Sequence, residues 1–423
     1  MTVSLGIDFG TSGARLVAID TDRNVLWWGT KALAIGQWRQ TLFALIAEIP
    51  VAIKARVSRI AIDGTSGTVL LCDAAGQIVG VPILYSDDRG KTVMAQVKSI
   101  VPAGHLAMSA TSSFAKFCWL TSQPDLVAKE PIYLLHQADW LAYQLHGKLG
   151  ISDYHNALKL GYDVERLCYP DWLESHPYRA FLPQVVAPGT PIDRLLPSVA
   201  RELGMAADCI VCAGTTDSIA AFIASGAQTP GTAVTSLGST LVIKLLSQRR
   251  IDDLSYGIYS HRWGDLWLVG GASNTGGAVL RHFFSDAELV SLSQQIDLTR
   301  PTALDYYPLL TPGDRFPIND PNLAPRLTPR PARAIDFLAG LLTGIAKIEA
   351  RGYDLLSELG ATPLTAVYTA GGGAKNLVWT QIRQQYLPVP ISISTQQEAA
   401  YGTALLAQWG GVDSQSLATY AKP

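Results

Sequence analysis

An α/β protein of two similar domains is the fold class that the sequence predicts, on three observations. The 423 residues exceed what one typical hydrophobic core accommodates. Apolar strand-like runs alternate with helix-patterned stretches along the chain. One unit, an apolar strand, a turn of small hydroxylic residues and a second apolar strand, opens the chain at "GIDFGTSGARLVAID" and recurs at "TAVTSLGSTLVIKLL". A content of 48% hydrophobic and 16% charged residues fits a compact enzyme and argues against disorder. The net charge of −2 offers no global basic excess to recruit nucleic acid. No apolar run spans a bilayer and the first residues lack a signal-peptide pattern, so no membrane association and a cytoplasmic location are expected.

Taken in order, "VSLGIDFG-TSG-ARLVAIDTDRNVLWWGT" reads as a hairpin and a third strand, and "FALIAEIPVAIKARV" as a helix. "SRIAIDGTSGTVLLCDAAGQIVG" is again strand, small-residue turn and strand, ending in a turn at Ala75-Gly76. A helical stretch is expected from Lys116 to Gly147, interrupted near Pro124 and Pro131. "ADCIVCAGTTDSIAAFIASGA" reads as strand, loop and helix, with Asp217 and Ser218 at the helix start. Cys209 and Cys212 fall on opposite faces of that strand and are expected to be structural. The pattern restarts near Ala227, after "QTPG", which sets the expected domains at 1–226 and 227–423 with a catalytic cleft between them. The longest helix is "RAIDFLAGLLTGIAKIEARGYDLLSELGA", with Ile335, Leu338, Leu341, Leu342 and Ile345 on one stripe and Gly360 ending it. The Pro-rich stretch from Thr311 to Pro331 is expected as a surface loop. "AVYTAGGGAKNLVWTQIRQQYL" reads as strand, Gly-rich turn and helix.

The chemistry begins at Asp8, inside the first apolar run and just before Gly10-Thr11-Ser12-Gly13. Such a turn gathers backbone N–H groups and hydroxyls into an anion-binding nest, and a neighbouring carboxylate suits a hydrated Mg²⁺. Alone, the same residues also describe a tight hairpin with a buried, hydrogen-bonded Asp. Gly238-Ser239-Thr240 is a second candidate cradle, and Gly371-Gly372-Gly373, opening a helix, a third. Neither a G-x-x-x-x-G-K-[ST] loop nor the protein-kinase signature set occurs.

In this order the segments resemble the FGGY carbohydrate kinases, within the superfamily of sugar kinases, actin and heat-shock chaperone ATPases. "GIDFGTSGARLVAID" is similar to the first phosphate loop, and "IDGTSGTVLLCDAAG" and "ILYSDDR" to the sugar-side segments. "VCAGTTDSIAAFIASG" resembles the segment of the catalytic Asp, "TSLGSTL" the second phosphate loop, and "GGASNTGGAVLRHF" the signature region after it. "PLLTPGDRFPIND" is similar to a Gly-Glu-Arg loop with Asp314 in place of Glu, and "TAGGGAKNLVWTQI" to the adenine motif. The resemblance implies two duplicated RNase H-like domains of the actin/hexokinase ATPase type, using ATP and Mg²⁺ on a small sugar.

It also implies roles. Asp217 is the expected base, and Asp8 holds Mg²⁺ through water. Thr11, Ser12 and Gly13 meet phosphate and sugar, with Arg15 beside them, and Ser66 contacts the sugar. Gly238, Ser239 and Thr240 cradle phosphate, Gly276 and Gly277 line the nucleotide site with Gly372 and Gly373, Asn376 contacts adenine, and Trp379 walls the ring. Lys116 is expected as a solvated lysine. Ser66-Gly67 stand where xylulose kinases of the family carry Met-His, which turns the expectation toward an ATP-dependent D-ribulose kinase. D-xylulose is the alternative sugar, and a non-kinase ATPase or a sugar sensor of the same fold the alternative class.

Overall fold

The computed structural model describes residues 2–33, 36–128 and 131–411. It divides into two compact units, residues 1–224 with 398–423, and residues 225–397. In chain order the first unit carries β1 (Val3–Phe9), β2 (Gly13–Ile19), β3 (Val25–Ala32), β4 (Val57–Gly64), β5 (Val69–Asp73), β6 (Ile78–Ile83), β7 (Ile132–His136), β8 (Ile151–Asp153), β9 (Gln184–Val186), β10 (Pro191–Arg194), β11 (Ile210–Cys212) and β12 (Thr215–Thr216). Its main sheet runs β10-β11-β4-β1-β2-β3, with β12 also on β4. The second unit carries β13 (Thr232–Leu237), β14 (Leu241–Ser247), β15 (Tyr259–Trp263), β16 (Leu266–Ser273), β17 (Ala366–Ala370) and β18 (Ile391–Ile393), ordered β15-β16-β14-β13-β17-β18.

The two sheets share one plan. In each, a hairpin (β1–β2, β13–β14) is joined by a third antiparallel strand (β3, β16), and the hairpin's first strand pairs in parallel with a later strand (β4, β17), which pairs in parallel with another (β11, β18). The duplicated α/β architecture expected from the two opening units is therefore present.

Every residue of β1 is buried, as in a strand covered on both faces. Val3, Leu5, Ile7 and Phe9 join a core that includes Leu42, Leu45 and Ile46 of the helix Trp38–Ala47. Ser4, Gly6 and Asp8 alternate to the other face. There the helix Ala399–Trp409 packs so closely that a Cβ on Gly6 would lie 2.1 Å from the Ala400 carbonyl oxygen. In the compact units this helix groups with residues 1–224, while the expected second domain was 227–423. The physical reason is the small-residue seam, Gly6 against Ala400 and Ala404, and Gly402 against Ala220, which admits a helix onto the backbone of β1.

Two local expectations change. The stretch 116–147 holds the helix Ser113–Thr121, a short helix Pro124–Val127, the strand β7 and a helix Gln137–His146, so a strand replaces part of the expected helix. The strand Ile132–His136, apolar up to Leu135, pairs with β5, and a run so short carries no periodicity that separates strand from buried helix. The stretch 311–331 has no helix or long strand, yet it is not all surface: Phe316 is fully buried against Gly271 and Gly352, where a Cβ would come within 2.4 and 2.7 Å of its ring. The longest helix is Ala334–Glu358, and Gly360 follows its cap at φ +92°. Cys209 and Cys212 are free and buried in two different clusters, their thiols pushed up to about 12 and about 11 by burial. Among the described residues no helix is long and apolar enough to cross a membrane.

Candidate active site

In the first unit the sheet register aligns the carboxylates. Asp8 of β1 is opposite Asp63 of the parallel β4, and Asp63 is opposite Thr215 of the parallel β12, two residues before Asp217. These are the C-terminal ends of parallel strands, where open α/β sheets bind ligands. Asp217 begins the helix Asp217–Ala224, half-buried, and its Oδ1 accepts the Ser218 N–H at 2.6 Å.

Asp63 was not singled out from the sequence. It is fully buried, accepts the Thr403 hydroxyl from the terminal helix, and leaves Oδ1 with no donor among the described residues. Burial, and then the charge of Asp8, hold its carboxyl well above the usual range, with Asp217 adding in the same sense. A neutral Asp63 is itself a donor, and Asp8 is the acceptor beside it. Asp8 is also raised by burial, opposed by the hydrogen bond from Asp63 and by Arg15. The Arg15 Nη1 stands 3.3 Å from Asp8 Oδ2, and its Nε 3.4 Å from Glu398 Oε2. Both carboxyls of the pair are thus held above the ordinary carboxylate range, Asp63 further than Asp8.

The turn after β1 closes by Gly10 N–H to Gly13 C=O, 3.1 Å, and Leu33 N–H bonds Ser12 C=O. Thr11 and Ser12 are exposed, and their N–H groups have no partner among the described residues. This is the open nest expected of an anion-binding turn.

Thr65 to Thr68 forms a second turn, closed by Thr68 N–H to Thr65 C=O, with Gly67 at φ +86°. Ser66 sits half-buried at its tip. Lys116 is not solvated as expected; it is fully buried, and its Nζ donates to the carbonyls of Gly67 (2.7 Å), Leu84 (2.7 Å) and Tyr85 (3.1 Å). Burial lowers this ammonium to about 8. Its use is mechanical: one cation ties the 65–68 turn to the 84–85 segment. Between these parts lies a pocket open to solvent. Gly10, Thr11, Thr65 and Gln137 supply its polar lining, and Leu33, Trp38, Leu84 and Tyr85 the rest.

Behind Asp217 the polar core is closed. His155 Nδ1 meets Thr215 Oγ1 at 2.7 Å, and Asn156 Nδ2 donates to the Thr215 carbonyl and to Asp153 Oδ2. Asp153 caps the turn by accepting the N–H groups of His155 and Asn156, and burial followed by the Asp139 charge raises it to about 7. These residues hold β12, and β12 carries Asp217.

In the second unit the β13–β14 turn repeats the first one. Gly238 N–H bonds Thr240 C=O, and the N–H groups of Ser239 and Thr240 have no partner among the described residues. Gly276 and Gly277 pack against this turn rather than leaving space. A Cβ on Gly276, at φ +141°, would lie 2.7 Å from the Thr240 carbonyl carbon, and one on Gly277 2.6 Å from the Gly238 oxygen. The Gly277 N–H is already used by Gly238 C=O, and Arg281 reaches Ser239 Oγ at 3.0 Å.

In the Gly-rich turn, Gly371 sits at φ +84° against Leu237, Gly373 against Leu237 and Trp379, and Gly372 alone faces open space. Asn376 caps the helix Leu377–Gln384, its Oδ1 accepting Trp379 N–H and its Nδ2 donating to Ser293. Trp379 is buried, with Nε1 donating to Leu342 C=O. This packing closes the indole to solvent and commits both ends of the Asn376 amide. Asp314, the departure from the Gly-Glu-Arg loop, accepts from Ser273, Tyr307 and the N–H groups of Asn274 and Arg315. Among the described residues no group of three or more His, Cys, Asp or Glu forms a metal cage.

Similarities to known proteins bear on these sites. Residues 233–410 match the model of the C-terminal domain of the FGGY family of carbohydrate kinases. A xylulose kinase of Bacillus subtilis is 24% identical over 99% of this chain and 90% of its own length. The crystal structure of a "xyloylose kinase" from Brucella ovis superposes with a TM-score of 0.86 at 22% identity, covering 100% of this chain and 93% of the other. That of a Plasmodium falciparum glycerol kinase with ADP reaches 0.83 at 16% identity, covering 97% and 90%. These likenesses to solved structures establish the two-domain fold and leave the substrate to the residues.

Proposed function

The chain belongs to the FGGY family of carbohydrate kinases, and from that premise we propose that it transfers the γ-phosphoryl group of ATP to the primary hydroxyl of a ketopentose, D-ribulose first, giving D-ribulose 5-phosphate. The observation that carries the reading is the register of Asp8, Asp63 and Thr215 at the strand ends, with Asp217 two residues beyond and the open Gly10–Gly13 nest beside them. Phosphoryl transfer asks for a placed hydroxyl, a proton acceptor and neutralised phosphate oxygens. Asp217 accepts the hydroxyl proton. Thr11 and Ser12 present N–H and hydroxyl groups to the phosphate. The Ser239–Thr240 turn and the open Gly372 offer the same kind of donors to the nucleotide phosphates.

Mg²⁺ enters with ATP as part of the substrate. The residues present fit such an ion through its water shell: Asp8, with Arg15 beside it, would take a hydrated ion that the phosphates of ATP would also hold.

The sugar preference rests on the 65–68 turn. Gly67 takes a positive φ that side-chain-bearing residues rarely adopt, so this turn is built differently from one carrying a Met-His pair. Ser66 leaves a small hydroxyl there. D-ribulose and D-xylulose differ in one hydroxyl configuration, and a site matched to one leaves a polar group unpaired with the other, about 1–3 kcal/mol or roughly 5- to 150-fold in kcat/KM. Steady-state kinetics on D-ribulose, D-xylulose and glycerol tests this. The expected order is D-ribulose above D-xylulose, with glycerol poor. A clear D-xylulose preference overturns the ribulose reading alone, and no transfer to any sugar overturns the kinase reading.

A further inference from the structure

We infer that Gln137 is a sugar-binding residue, its side-chain amide donating to a hydroxyl or carbonyl oxygen of the ketopentose held in the pocket over Gly10 and Thr11; the inference rests on the sugar-kinase reading for the class of ligand. Gln137 is the first residue of the helix Gln137–His146, and its backbone N–H is spent on Thr68 C=O. Its side chain faces Thr65, 3.1 Å from the Thr65 N and 3.1 Å from the Thr65 Oγ1. A peptide N–H only donates, so the atom facing it is the amide oxygen, which settles which way the amide points.

The rest of the network then has one direction. Thr65 gives its hydroxyl proton to Gln137 Oε1, so in the 2.5 Å contact between Thr65 and Thr68 it is Thr68 that donates. Thr68 Oγ1 in turn accepts the Tyr85 N–H at 3.0 Å. The chain Tyr85, Thr68, Thr65, Gln137 is thereby satisfied at every step except its last atom. The two N–H bonds of Gln137 Nε2 meet no acceptor among the described residues. The residue is only 2% exposed, and it lines the pocket together with Gly10 and Thr11. A donor pair anchored so firmly through its oxygen, on a wall that otherwise includes Trp38 and Leu84, matches the few fixed polar groups that orient a small ligand in a largely apolar pocket. The helix, the 65–68 turn and the 84–85 segment hold it by backbone groups, so it is placed before a ligand arrives.

Gln137→Glu in the full chain keeps an acceptor for Thr65 and replaces the donor pair by oxygen. Isothermal titration calorimetry with D-ribulose is expected to show a dissociation constant raised about 5- to 150-fold, the range for losing one paired donor. One of the single-deoxy analogues of D-ribulose is expected to lose the same factor on the wild type and nothing further on Gln137→Glu, which identifies the partner oxygen. Equal affinity of the variant and the wild type for D-ribulose overturns the inference. So does equal affinity of the wild type for D-ribulose and for every deoxy analogue, a result that needs no variant. Sugar binding that depends on Gln137 without phosphoryl transfer removes the kinase reading and leaves the inference standing. Phosphoryl transfer with Gln137-independent binding removes the inference alone, and no sugar bound by the wild type overturns both.

Discussion

Asp217→Ala is expected to lower sugar phosphorylation by roughly 10²-fold or more, the scale of general-base effects, with little change in ATP affinity. Turnover and nucleotide titration on the purified variant check it. Asp8→Ala and Thr11→Ala are expected to impair ATP hydrolysis even without sugar, since both are assigned to the phosphate side. Basal hydrolysis at the wild-type rate in folded protein would make the loop structural. Asp63→Asn tests the neutral acid. Burial and Asp8 raise Asp63, and burial raises Asp8, so the folded unit keeps protons that the unfolded chain releases above about pH 4. Their contribution to stability is full below that pH and is lost as pH rises toward the folded values. Asn is neutral throughout, so thermal melts should show a flatter pH dependence for the variant over that window. The sign at Lys116 follows from the same linkage. Its lowered value means the folded state binds fewer protons between about pH 8 and 10.5, so this residue's contribution improves across that window, and Lys116→Met should remove that rise. Asp8 was legible as an acid inside an apolar run just before a small-residue turn, and Asp217 through the resemblance of its segment to the family. Asp63 and Gln137 were not, because their meaning depends on which strand or turn lies opposite.

At the scale of elements, the helix Ala399–Trp409 reaches the site from behind. Thr403 holds Asp63, and Gly402 allows contact with the helix that Asp217 begins, where a Cβ would lie 1.9 Å from the Ala220 carbonyl oxygen. Gly402→Ala must move one helix off the other. It is expected to cost about 1–3 kcal/mol, the range for overpacking, and to lower turnover along with it. Urea titration and kinetics on one preparation read both. In the second unit, Glu349 and Arg383 form a buried bidentate pair at 2.6 and 2.7 Å, extended by Thr235, Tyr353 and Thr369. Glu349→Ala leaves the guanidinium buried and uncompensated, and a loss of about 3–5 kcal/mol is expected. The strand–turn–strand units, the longest helix and its Gly360 end were all readable from periodicity and punctuation. β7 was not, since the four apolar residues Ile132 to Leu135 fit a strand and a buried helix equally.

For the whole molecule, the chain leaves its first unit after Ala224 and returns to it at Glu398. Residues 1–224 alone therefore lack the helix that covers Ser4, Gly6 and Asp8. They are expected to fold poorly, and joining residues 398–411 to them should restore a cooperative melt by circular dichroism. A stable, cooperative melt of 1–224 without that helix would show the cover to be dispensable.

The sequence by itself determined the duplicated α/β plan and the small-residue turns between its hairpin strands, because strand alternation and turn chemistry are local properties. Tertiary structure alone decided which unit owns the last helix, that Lys116 is a buried tie rather than a solvated charge, and that Trp379 is core. It also decided that Asp63 stands beside Asp8 and that Gln137 turns its oxygen to Thr65. Each of these is a contact between residues distant in the sequence or a burial that no local pattern encodes. The free energy that settles them comes from desolvation and packing in the assembled unit, not from the propensities of the segments.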